Sequence, residues 1–428
     1  MQRSTSRTLP LALLAGGLLA ATDGAAVAQS LLVVDKVASQ GDFQSIGAAI
    51  AAAGEGDAIL VRAGSFAENL AIDGKSLRIT AEEGALVFIT TPYLDSDPVV
   101  RVHGLQAGQS VVLEGLCLSA DDDPLLSGLA PPEALEIDSN AGAVWAVDCV
   151  LVASDAPVRV TDSAAVTLVR CSSVALPSSS LLPASDPGLR ASGSTLAVYG
   201  CDFRGSPGES QEFFVACASI GADGGAGASL TDSTLFASGT TFRGGDGGGG
   251  VTAPFGVSTS GTDGGDGVAV LGASAAELFA CTFLPGTGGP GAGGCPGGAD
   301  GAPVAGDGGW STTSGTPRSV EGPTPIPAGS TASYAFHGAS GDVAVLIASA
   351  VPDHAAVPGL GGPLLLGAPL VVATAGVISP QGSTGVSFQA PGAIAPSAYA
   401  LTFVQGAFVA TDLSIHLGAP LPLLVTAP

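Results

Sequence analysis

A six-position pattern recurs along the first two thirds of this chain and carries one cysteine column. It reads Val144-x-Ala146-x-x-Cys149-x-Leu151, then Val166-x-Leu168-x-x-Cys171-x-Ser173, then Leu196-x-Val198-x-x-Cys201-x-Phe203. It continues as Leu235-x-Ala237-x-x-Thr240-x-Phe242 and Ala276-x-Leu278-x-x-Cys281-x-Phe283, and an earlier copy, Val111-x-Leu113-x-x-Leu116-x-Leu118, has Leu in the Cys place. Short strands that repeat every few tens of residues cannot bury an apolar face one at a time. They must stack, each coil on the last, so the pattern predicts a parallel solenoid with Cys149, Cys171, Cys201 and Cys281 as a column of buried thiols. Adjacent strands sit about 4.8 Å apart, within the Cα range of a disulfide, so a bridge inside the column is also open.

Composition agrees with a narrow, stacked core. Aromatic residues are only 5% of the chain, while Gly 64 and Pro 30 call for many turns. The net charge of −24 comes from 13 basic and 37 acidic residues, and Lys36 and Lys75 are the lysines. That field repels nucleic acid and anionic membranes, and excludes them as expected partners. At the start, Arg3 and Arg7 precede an apolar run from Leu9 to Ala21, and Ala26-Val27-Ala28 forms a small-residue cleavage site. This is the layout of an export signal, with the mature chain expected from Gln29 in the extracellular space or at the cell surface and no later membrane span. Seven Cys is an odd number for an exported protein, so one thiol stays free or pairs between chains.

Leu31 to Asp35 reads as an opening strand. Asp42 is expected to cap a helix from Phe43 to Ala53 that puts Phe43, Ile46 and Ile50 on one face. Residues 42–80, DFQSIGAAIAAAGEGDAILVRAGSFAENLAIDGKSLRIT, resemble the first coils of right-handed parallel β-helix proteins of the pectin-lyase-like superfamily. Gly56, Asp57, Ile59, Val61, Gly64, Phe66, Glu68, Leu70 and Ile72 match the G-D-x-I-x-V-x-x-G-x-[YF]-x-E-x-[LI]-x-I run of that superfamily. The resemblance implies an amphipathic helix capping the core, and physics asks for the same cap, since the first coil would otherwise expose strand edges. It identifies a fold and leaves the chemistry open.

The expected organisation is all-β: a signal peptide at 1–28, a right-handed parallel β-helix at 31–312, a linker at 313–326 and a small antiparallel β-sandwich at 327–428. Between 221 and 309 the column spacing grows from 22 residues (149 to 171) to 41 (240 to 281), and runs such as Gly244-Gly245-Asp246-Gly247-Gly248-Gly249-Gly250 intervene. These read as Gly-rich loops projecting from one side of the solenoid.

Catalytic signatures are not found. If the superfamily resemblance extended to a pectin methylesterase-like site, paired Asp residues and an Arg on adjacent coils would be needed. Asp202 in Cys201-Asp202-Phe203-Arg204-Gly205 is the nearest string, but a second Asp in register, at Arg170 or Gly239 by this reading, is missing. A polygalacturonase-like site would leave only Asp121-Asp122-Asp123 as an acidic cluster, which reads as a solvated loop. For a lyase, Arg159, Arg170, Arg204 and Arg243 are candidate bases without an Arg-rich motif. His103, His337, His354 and His416 are scattered.

No cofactor is required. Ca²⁺ is the one candidate, at Asp246, Asp263 and Asp266, with Asp300 and Asp307 in similar Gly-rich settings, although the nonapeptide calcium repeat is not met. Trp145 and Tyr199 are the best sugar-stacking candidates. The leading expectation is a non-catalytic protein that binds extracellular polysaccharide or a cell-envelope component, or serves as a structural or adhesive element. A lyase-like polysaccharide-active enzyme with an unrecognised site is the alternative. A third reading is a solenoid spacer carrying a C-terminal attachment or export module. An enzyme would show Asp and Arg clustered from neighbouring coils; a binder would show exposed polar or aromatic ladders without that cluster.

Overall fold

The computed structural model describes residues 29–37, 39–92, 95–120, 133–177, 185–210, 221–252, 258–323, 325–390 and 399–426. The export signal, Asp121-Asp122-Asp123 and Cys217 lie outside them. Three parallel sheets wind through the first part of the chain: a first sheet of ten strands from Leu31–Val34 to Gly309–Thr313, and second and third sheets of eight strands each. Every pair within these sheets is parallel and joins strands of consecutive coils. This is the right-handed parallel β-helix expected from the repeat.

The repeat positions become vertical rows. Val111, Val144, Val166, Leu196, Leu235 and Ala276 stack in register inside the first sheet. Phe203, Phe242 and Phe283 stack inside the third, with ring centroids 5.7 and 6.1 Å apart. At the corner between those sheets, Cys149, Cys171 and Cys201 are buried, and Cys281 is half-buried; all four are free thiols. The column has a hydrogen-bonding role. The Cys171 main-chain N–H donates to Cys201 Sγ (3.2 Å), and the Cys201 N–H donates to Thr240 Oγ1 (3.4 Å), which is how Thr fills the Cys place. A hydrogen bond to Cys171, together with burial, raises the Cys149 thiol well above the ordinary range, which suits an inert core group.

The residue just before each column position turns the corner in the left-handed region: Asp148, Arg170, Gly200, Gly239 and Ala280 have φ between 51° and 62°. Gly at two of the five removes the steric cost that the others bear. A second ladder runs up another corner. Asn140, Ser163, Ser194 and Ser233 each donate a main-chain N–H to the hydroxyl of the next coil, which is Ser163, Ser194, Ser233 and Ser274 in turn.

The cap is shorter than expected. A helix spans Ile46–Ala52, and its N-cap is Ser45, whose hydroxyl accepts from Ala48 N (3.2 Å). Asp42 does a different job, accepting the Val33 N–H (2.8 Å), while Phe43 bridges Val34. Glu68 accepts from Ser45 Oγ (2.7 Å) and from the Gly47 N–H (2.9 Å), so the Glu of the resemblance run ties the second coil to the helix start.

The Gly-rich segments do not project as loops. Gly244, Gly247 and Gly250 donate main-chain N–H groups to Leu284, Thr287 and Pro290, while Gly261, Gly264 and Gly267 donate to Pro296, Ala299 and Ala302. Between them, Gly245 donates to Gly225, Gly265 to Gly245 and Gly286 to Gly265. The three-residue step is that of polyproline II-type helices, which have no internal hydrogen bonds and bond sideways to neighbours. An added Cβ at Gly245, Gly265 or Gly289 would overlap a neighbouring carbonyl oxygen. The glycines are there so that backbones can touch.

The C-terminal module is a nine-stranded sheet with the path Val371–Val377, Val343–Ser349, Tyr399–Val409, Ile415–Thr426, Ser319–Glu321, Thr331–His337, Ser383–Gln389. Its long pairs are antiparallel. The two end strands of the path touch, so the sheet curls around a core that includes Tyr334, Phe336, Leu346 and Phe408. Ser319–Glu321 belongs to this sheet, so the expected linker is partly structural. The module does not hang beyond the solenoid. It lies on the outer side of the first sheet, where Trp145, Tyr199 and Phe236 pack with Leu365, Leu366 and Phe403.

Candidate functional site: a carboxyl–guanidinium ladder

With the module over the first sheet, the second sheet keeps its outer face. Its outward row runs Ala71, Arg101, Glu136, Arg159, Arg190, Ser229, one residue per coil and in register. Neighbouring coils are about 4.8 Å apart, so the three arginines and the glutamate form one column. At the turns leading into the strands stand Glu133, Asp155 and Asp186, each more than nine-tenths buried.

The arginines reach back over these carboxyls. Arg159 pairs with Asp155 (2.8 Å) and with Glu133. Arg190 bridges Asp155 (3.1 Å) and Asp186 (3.0 Å). Arg101 pairs with Glu136 (3.2 Å) and Asp138 (3.5 Å), and His103 Nδ1 lies 3.0 Å from Asp138. Arg101, Arg159 and Arg190 remain 46%, 32% and 37% exposed. The ladder thus shows guanidinium groups to solvent and keeps carboxyls beneath.

Three carboxyls share two guanidiniums at Glu133, Asp155 and Asp186. Burial, then the adjacent Asp155 charge, push Asp186 up to about 7. Burial also raises Asp155, but Arg190 and the hydrogen bond from Asp186 outweigh it and hold Asp155 below the usual carboxylate range. Burial raises Glu133, against the pull of Arg159. Asp186 therefore holds its proton to a higher pH than Asp155 does. Environments that push two neighbouring carboxyls apart in this way divide acid from base.

The residues named from sequence fall elsewhere. Trp145 and Tyr199 are 0% and 1% exposed, so the expectation of solvent-facing sugar platforms does not hold. Trp145 meets Phe403 edge-on at 4.9 Å, and Tyr199 meets Phe236 at 5.7 Å. Both side chains point outward from the first sheet, and the second module covers that face. Among the described residues, neither the Trp145 indole N–H nor the Tyr199 hydroxyl has a hydrogen-bond partner. That costs about 1–3 kcal/mol each, against roughly 4–6 kcal/mol for burying 150–250 Å² of aromatic side chain. Apolar burial wins.

Asp246, Asp263 and Asp266 accept main-chain N–H groups across the Gly-rich array, from Thr287 (2.9 Å), Ala299 (2.7 Å) and Ala302 (2.8 Å). Asp300 and Asp307 do likewise for Gly288 (2.8 Å) and Gly272 (2.9 Å). Among the described residues no group of three or more His, Cys, Asp or Glu converges as a metal site. Asp202 stands in register with Ser172 and Thr241, not with Arg170 or Gly239, and pairs with Arg243 (2.9 Å). Arg170 pairs with Asp148 (2.7 Å) across one corner.

The ladder itself escaped sequence reading, apart from Arg159 as an isolated candidate. Its one available signal is the Asp-x-x-x-Arg spacing repeated as Asp155/Arg159 and Asp186/Arg190.

No protein-family model matches the chain, and no curated protein does. Among solved structures it is similar to pectin methylesterase PemA from Erwinia chrysanthemi, at 15% identity over 57% of this chain and 80% of that one, TM-score 0.34. It is similar at 15% identity, with the same coverage and a TM-score of 0.30, to a pectin methylesterase in complex with a hexasaccharide. ORF18 of Geobacillus virus E2 is similar at 11% identity over 90% of this chain and 83% of that one, TM-score 0.35. Likeness at this level carries no argument about activity.

Proposed function

We propose that the chain is an exported, extracellular or cell-surface β-helix protein that holds a polysaccharide or cell-envelope component without turning it over. The observation that carries this reading is the ladder's own neutralisation. Glu133, Asp155 and Asp186 are buried beneath Arg159 and Arg190, which bond to them. A nucleophile or general acid must reach its substrate within hydrogen-bond distance, and these carboxyls are roofed by guanidiniums. What faces solvent is a row of guanidinium donors, Arg159 and Arg190 on neighbouring coils and Arg101 two coils before Arg159, suited to hydroxyl or carboxylate groups of an extended glycan. The test is retention of the chain from Gln29 on insoluble acidic and neutral polysaccharides, with and without Ca²⁺, alongside assays for unsaturated products and new reducing ends. Retention without product is expected, weakened several-fold by Arg101→Ala.

A second reading, a polysaccharide-active enzyme, has one observation in its favour. Asp155 and Asp186, from adjacent coils, are bridged by one guanidinium, Arg190, and their surroundings hold Asp155 below the usual carboxylate range while pushing Asp186 up to about 7. That is the clustering expected of an enzyme on this fold. Product formation abolished by both Asp155→Asn and Asp186→Asn would establish this reading in place of the first.

A further inference from the structure

The two ends of the solenoid are finished differently. At the start, the edge strand Leu31–Val34 is closed off: Asp42 accepts the Val33 N–H (2.8 Å), the Val33 carbonyl accepts from Asp42 N (2.8 Å) and Phe43 N (3.1 Å), and the capping helix lies beside it. At the other end, the last strand, Gly309–Thr313, is exposed along its whole length. Gly309 donates its N–H back to Ser274, and Thr313 accepts from Ala280. By strand alternation, Trp310 and Thr312 turn their N–H and C=O groups away from the preceding coil, where no further coil follows. Trp310 stands in register on Ala276, at the core position, yet is 49% exposed; Leu284 and Leu271 at the same end are 43% and 40% exposed.

Edge strands of soluble proteins are ordinarily blunted by charge, proline, bulges or a covering element. From Gly308 to Thr316 this chain has no charged residue and no proline, in a molecule of net charge −24. The stretch therefore brings no like charge of its own to a contact between two copies. The capped first coil cannot supply the missing strand, which rules out head-to-tail stacking. We propose that Gly309–Thr313 pairs antiparallel with the same strand of a second copy, giving a two-fold dimer joined tail to tail, with Trp310 of each copy buried at the seam.

The experiment is sedimentation velocity on the chain from Gln29 across the micromolar range, with Trp310→Glu and Thr312→Pro as variants. The expected result is a doubling of mass in the unsubstituted chain and monomer in both variants, with far-UV circular dichroism unchanged. Trp145 and Trp310 are the only tryptophans, and Trp145 is already buried. Association should therefore shift emission to the blue with concentration in the unsubstituted chain. Should Thr312→Pro disturb the fold, Trp310→Glu decides alone, because a half-exposed side chain can be changed without opening the core. A monomer at every concentration overturns the proposal, as does a dimer indifferent to Trp310→Glu, or open-ended polymers in place of a dimer.

Discussion

Asp186 is a residue whose neighbourhood makes a measurable claim. Its carboxyl is raised to about 7, first by burial and then by the ionised Asp155, against about 3.9 for a free Asp. The folded chain therefore holds a proton there that the unfolded chain has lost, so the group's contribution to stability falls as pH rises from about 4 to about 7 and then levels off. Asp186→Asn keeps the size and an N–H donor while removing the titration. Urea denaturation at a series of pH values should show the downward slope in that window for the parent and a shallower one for the variant. Equal slopes would mean that Asp186 is not the proton's site. The ladder also shows what residue-level reading catches and misses. Arg159 was singled out as a lone base, and its chemistry depends on Asp155, four residues away along the chain, and on Glu133, one coil away.

Elements in this protein are made by stacking, and two kinds of stack require opposite side chains. In the β-helix coils, rows of Val, Leu and Phe fill the interior, and Ser, Thr and Cys satisfy the corners. In the Gly-rich array the side chain must vanish, because the neighbouring backbone occupies its place. This predicts a contrast between glycines that composition cannot tell apart. Gly265→Ala drives a Cβ into the Gly225 carbonyl and should lower the melting temperature and loosen amide protection through Gly244 to Gly267. Gly249→Ala meets nothing nearer than Pro290, at 3.7 Å, and should be close to neutral. Thermal melts of the two variants would decide; equal destabilisation would argue against backbone contact as the reason for the glycines.

At the scale of the whole molecule, the C-terminal module and the solenoid share one apolar seam. Trp145, Tyr199 and Phe236 on one side and Leu365, Leu366 and Phe403 on the other are mutually buried. A buried ion pair, Arg78 with Glu114, lies on the same outer face of the first sheet, and Tyr399 of the module hydrogen-bonds to the Gly56 carbonyl. Calorimetry should accordingly show one unfolding transition rather than two. Trp145→Ala should cost about 3–5 kcal/mol and split the transition as the module loses its anchor; two resolved transitions in the parent chain would contradict the shared seam. The module runs along the flank of the solenoid.

The repeat by itself determined the solenoid. A period of apolar pairs with a small turn residue has one economical solution, stacking in register, and each coil restates it, so Val144, Cys149 and Leu151 predict their neighbours above and below. The capping helix was legible for the same local reason, down to a one-turn error in its start, where Ser45 took the cap because Asp42 was drawn to the Val33 N–H. The tertiary structure decided everything that depends on what lies across a gap. Trp145 and Tyr199 look identical in sequence whether solvent or a second module faces them. Glycine runs read as flexible until the carbonyl beside each one is known. Asp155, Asp186 and Arg190 become a coupled unit only when two coils bring both carboxyls to one guanidinium, because the energies that couple charges depend on separation in space and not along the chain.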